Sequence, residues 1–123
     1  MVISGSKQRT RFRGDSLASY YDILAKYAFG NFRTLMGEVS RSPGMGIFLS
    51  HQGNKKFNSS SNTHPDENFA RELMQLFSIE LWKMNQDGSM VKDSNGDPIA
   101  SYTQDDVEEL AKVMTGYDIK GNS

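Results

Sequence analysis

Polar and apolar positions alternate along this chain with a helical period in four stretches and lose it in three. From Asp15 or Ser16, either of which suits an N-cap, Leu17, Tyr20, Tyr21, Leu24, Tyr27 and Ala28 recur at helical spacing, predicting a helix to about Phe29. Gly30-Asn31 interrupts it. Phe32, Leu35, Met36 and Val39 then mark a second helix from Asn31 to about Ser40, ended by Pro43-Gly44. Ile47, Phe48 and Leu49 suit a short third helix. Residues 51–64 are rich in Asn, Ser, Gly and Lys and read as an exposed loop, pinned by Phe57.

The segment Pro65-Asp66-Glu67-Asn68-Phe69-Ala70-Arg71-Glu72-Leu73-Met74-Gln75-Leu76-Phe77 carries the clearest pattern. Proline suits the first position of a helix, where its missing N–H costs nothing. Acids suit the first turn. At 100° per residue Phe69, Ala70, Leu73, Met74, Leu76 and Phe77 share one arc, and Glu67, Asn68, Arg71, Glu72 and Gln75 fill the other. Residues 81–102 differ in character. Asp87-Gly88 and Asn95-Gly96 are turn signals and Pro98 excludes a helix interior, so a small β-hairpin or an ordered loop is expected. No internal repeat is evident. Thr103 and Asp106 then form a capping-box pair ahead of Val107, Leu110, Ala111, Val113 and Met114, with Glu108 and Lys112 paired on the solvent face and Gly116 as the stop.

The predicted fold is therefore mainly α: about five helices in a compact orthogonal bundle, with the hairpin or ordered loop before the last. A flexible basic arm over residues 1–14, a single helical domain over 15–117 and a flexible tail over 118–123 complete the expected organisation. The 123 residues suffice for one core, and no apolar run approaches the length of a membrane span. The absence of cysteine excludes disulfides and thiolate metal sites. Residues 1–60 hold nine Lys/Arg against three Asp/Glu, and residues 61–123 hold five against twelve. Attraction between oppositely charged faces explains this asymmetry more simply than nucleic-acid contact, which would also want a recognised motif.

Several motifs together resemble the domain-of-unknown-function 1800 family. They are Tyr20-Tyr21-Asp22-Ile23-Leu24, Ala28-Phe29-Gly30-Asn31-Phe32-Arg33, Glu38-Val39, Met45-Gly46, the 65–77 segment, Leu81, Asn85, Asp87-Gly88, Gly96, Pro98-Ile99, Tyr102-Thr103-Gln104-Asp105-Asp106-Val107 and Thr115-Gly116-Tyr117. The resemblance covers about residues 17–117. It implies a bacterial parent protein of several hundred residues, often exported to or beyond the periplasm and frequently encoded beside a sulfatase-like family. It implies no activity, cofactor or catalytic residue. Where the family tends to have His-Pro-Ala, this chain has Ser42-Pro43-Gly44, so no histidine role carries over there.

Chemistry is sparsely signalled. Glu67, Arg71 and Glu72 on the polar face of the fourth helix are the candidates for a general acid or a polar site, with Asn68 and His64 as candidate ligand contacts. The plainer reading is a helix-stabilising ladder. His51 and His64 are the only histidines and no HExxH pattern occurs, so no metal site is expected. The acidic turns fail the calcium-loop pattern, since Lys83 or Val91 would stand at the first ligand position. No cofactor is expected. The leading expectation is a structural or binding module, a fragment whose partner is the remainder of its parent or another protein. The alternative is part of a hydrolase-like enzyme with a site around Glu67, Arg71 and Glu72.

Overall fold

The computed structural model describes residues 14–118. The expected basic arm and tail, apart from Gly14 and Asp118, lie outside the described residues. These contain five helices: α1 (Gly14–Lys26), α2 (Phe32–Arg41), α3 (Pro43–Phe48), α4 (Asn68–Gln75) and α5 (Gln104–Val113). The chain is mainly α, and β pairing among the described residues is confined to isolated bridges. The described residues divide into two compact units, 14–54 with 116–118, and 55–115.

In the first unit α1, α2 and α3 pack on one another. Tyr20 of α1 is fully buried while Tyr21 beside it is exposed. Burial pushes the Tyr20 phenol above its ordinary pKa, and Tyr21 adds to the shift. Asn31 caps α2 by accepting from the Thr34 N–H at 3.1 Å, and Met36 and Val39 are its buried positions. Phe32, expected on the core face, is exposed. As the first residue of α2, it lies at the outer end of the apolar stripe.

Pro43 does not simply stop α2. Ser42 is at once the C-cap of α2 and the N-cap of α3, with Pro43 opening α3. Proline restricts the residue before it to extended backbone, and Ser42 adopts it (φ −68°, ψ 129°). Gly44 lets α3 approach α1 closely: a Cβ there would stand 3.3 Å from the Ser16 carbonyl oxygen and 3.4 Å from Tyr20 Cβ. The buried His51 holds its Nε2 2.9 Å from the Ser40 carbonyl oxygen and meets the Tyr117 ring edge-on. Gly53 N–H donates to the Tyr117 carbonyl, and Gly116 N–H to that of Asn54, joining residues 116–118 to this unit.

The second unit is built on α4 against α5. Ala70, Val107 and Ala111 form its buried seam, with Met74, Tyr102 and Leu110 packed around them. Phe69 is also fully buried. Helix α4 starts at Asn68 and not at the expected Pro65. The Asp66 carboxylate accepts from the Asn68 N–H at 2.8 Å, a local turn that competes with helical continuation. At the other end Phe77 N–H bonds the Glu72 carbonyl and Ile79 N–H the Met74 carbonyl. The helix therefore closes before Leu76, which is exposed despite its expected core position. The capping box at α5 forms as expected, with Thr103 and Asp106 exchanging bonds. Lys112 bonds Glu109 at 2.5 Å, one turn back, in place of the expected Glu108.

Residues 81–101 hold an order that the sequence reading missed. Val91 N–H donates to the Lys83 carbonyl, Ile99 N–H to that of Val91, and Lys83 N–H to that of Ile99. Three extended pieces thus pair cyclically at an eight-residue interval, with bridges Met84↔Met90, Lys92↔Pro98 and Trp82↔Ala100. The two connecting turns are alike. Gly88 N–H bonds the Asn85 carbonyl, Gly96 N–H bonds that of Asp93, and both glycines have positive φ (83° and 90°), the G1-bulge arrangement of a three-residue hairpin loop. The expected hairpin is therefore a closed ring of three short pieces. With fewer than three full repeats, and differing side chains at equivalent positions, backbone pairing reveals what letter matching does not.

Candidate functional site

The α4–α5 pair carries one polar network. Arg71 stands one turn after Glu67 and donates through Nη2 to Glu67 Oε2 at 2.7 Å and to Gln104 Oε1 at 3.2 Å. Gln104, the first residue of α5, donates through Nε2 to Glu67 Oε2 at 2.9 Å and to Glu108 Oε1 at 3.2 Å. The Gln104 amide thereby links two carboxylates from different parts of the unit. Arg71 and Glu67 side chains retain 43% and 34% of their exposure. Screening by solvent at that exposure keeps such a pair below about 1 kcal/mol.

Beside the network lies a cavity of about 330 Å³ lined by Phe57, His64, Pro65, Glu67, Glu108, Ala111 and Lys112. Its outer wall comes from the 51–64 loop. Asn58 and Thr63 exchange both backbone hydrogen bonds, at 3.0 and 3.1 Å, and the Asn58 side chain accepts from the Ser60 N–H inside the turn. Residues 57 and 64 are the next opposed pair in that antiparallel register. Their rings meet with centroids 5.0 Å apart and planes tilted by 57°. Ala111 and Lys112 bring the α5 side of the cavity. The Lys112 ammonium lies on Glu109, which raises its pKa, with Glu108 and Asp105 adding smaller attraction.

Of the candidate residues read from sequence, Glu67 and His64 line the cavity and Arg71 bonds Glu67 within the network. Asn68 and Glu72 do not line it. Glu72 stands 100° round α4 from Arg71, off the network's side of the helix. Sequence reasoning missed Gln104, Glu108 and Lys112 as participants, and took Phe57 only as a pin. Gln104 and Glu108 are one helical turn apart, the visible signal that a shared face was being built. Among the described residues no group of three or more His, Cys, Asp or Glu is placed to hold a metal. The turn acids bind their own backbone: Asp87 accepts from the N–H and hydroxyl of Ser89, which lowers its pKa, and Asp93 accepts from Asn95 and Asp97. Among the described residues no helix is long and apolar enough to cross a membrane.

No curated protein and no solved structure matches the chain. Over residues 2–123 it matches the family model described as protein of unknown function (DUF1800), and it belongs to that family.

Proposed function

We propose that this DUF1800 chain is a structural or binding module of a larger, exported bacterial protein, presenting apolar surface that other parts of the parent or a partner protein cover. The carrying observation is the exposure of large apolar side chains in groups. Bridge partners in antiparallel pairing point to the same side, so Met84 with Met90, and Trp82 with Ala100, lie side by side on the ring of residues 81–101. Trp82, Met84 and Met90 are all exposed, as are Ile79 and Leu81 nearby in sequence. In the first unit Phe29 is fully exposed at the turn after α1, and Phe32 is exposed beside it in sequence. Single exposed hydrophobics are ordinary, whereas grouped ones mark contact surfaces.

The Glu67 carboxylate is held by Arg71 and Gln104 together, which suits a clamp between helices better than a general acid. The bacterial, exported setting rests on the family alone. Because the chain has no cysteine, Phe29→Cys and Met84→Cys each provide a single label site. The modification rate by a thiol reagent is expected to be high in the isolated chain. It should fall at least about tenfold in the parent protein or its complex, as covered side chains do. Equal rates in all three settings refute the module reading.

A further inference from the structure

We propose that the cavity between residues 57–67 and α5 binds a small organic cation, an alkyl- or arylammonium, with its charge on Glu108 and its apolar body on Phe57. This rests on the binding-module reading and names the ligand class for one site within it. Three observations carry it. First, the cavity has one more carboxylate than ammonium in its lining. The Arg71 guanidinium is engaged on Glu67, and the Lys112 ammonium is held by Glu109. Second, the Glu108 carboxylate accepts one hydrogen bond, from Gln104, whereas a carboxylate has room for about four. A primary ammonium supplies three donors. Third, the Phe57–His64 pair places an exposed aromatic ring beside these acids. An aromatic face attracts cations electrostatically and accepts an apolar chain. A volume of about 330 Å³ lies at the small end of ligand pockets, suited to one ring or a short chain.

The test is an amide chemical-shift titration of the full chain with benzylammonium, and in parallel with benzoate of the same shape. Benzylammonium is expected to give saturable shifts at Phe57, His64, Glu108 and Ala111 with millimolar affinity. Glu108→Gln keeps the hydrogen-bonding shape and should weaken binding by about tenfold, near 1.4 kcal/mol. Lys112→Met removes the competing ammonium and should tighten it by about threefold. Glu72→Gln, off the cavity, should leave it unchanged. Shifts of equal size with benzoate, or no saturation by about 50 mM benzylammonium, overturn the proposal, as does unaltered affinity in a folded Glu108→Gln variant. The thiol-labelling result is independent of this outcome, so the cation site can fail while the module reading stands.

Discussion

Replacing Val107 by Ala and Arg71 by Met separates what holds α4 to α5. Val107 is fully buried in the seam with Ala70 and Ala111. Its loss removes two methyl-sized groups, about 0.8 kcal/mol each by transfer. The void left behind raises the total to about 2–3 kcal/mol. Arg71 is half-exposed and its partner Glu67 is a third exposed. Arg71→Met keeps most of the stem and lets water replace the guanidinium, so no charge is stranded. The expected cost is below about 1 kcal/mol, and it should shrink further in about 0.5 M salt. Trp82 is the single tryptophan and lies in the unit that holds both substitutions, so its fluorescence reports urea unfolding of that unit. With m near 1–2 kcal/mol/M, the midpoint should fall by about 1–3 M for Val107→Ala and by less than about 1 M for Arg71→Met. Should Arg71→Met cost as much as Val107→Ala at unchanged m, the polar network and not the apolar seam would dominate, and the reasoning would be refuted.

Thr103→Ala removes the α5 cap and should cost about 1 kcal/mol by the same urea assay. The pH dependence follows from its partner. Bonds from the Thr103 backbone and hydroxyl hold the Asp106 pKa below its ordinary value, so this contribution is complete above the unfolded pKa and is lost as pH falls through the folded one. The backbone bond to Asp106 remains in Thr103→Ala, so acid titration of stability should be somewhat shallower there; an identical profile would remove the Thr103 hydroxyl from the account. Backbone strain gives a paired prediction with opposite signs. Gly96 has φ 90° with open space where a Cβ would stand, so Gly96→Ala should destabilise by about 1–2 kcal/mol through conformation alone. Glu80 has φ 64°, and Glu80→Gly should stabilise by up to about 1 kcal/mol in thermal melts. Equal Tm changes of one sign for both would contradict it.

Local chemistry made much of the secondary structure legible. Thr103 announces the start of α5 because a side-chain oxygen three residues before a free N–H needs no distant partner. Helical period identified Met36, Val39, Ala70, Val107 and Ala111 as inward-facing. The same local rules misplaced the start of α4, because the Asp66 side chain competes for the Asn68 N–H where proline alone suggested an earlier start. The pattern places an end at Pro43-Gly44, and the structure makes Ser42-Pro43 an end and a beginning together.

By itself the sequence determined the helical class, the α5 capping box and the two glycine turns, since each depends on residues within a turn or two of one another. Only the tertiary structure decided which polar groups meet. The bridge between Asn58 and Thr63 sets Phe57 against His64, and Gln104 reaches Glu67 across 37 positions of chain. Period tells which side chains share a face of their own element. It does not tell what that face touches, and so Phe32 and Leu76 fitted an apolar stripe yet remain exposed.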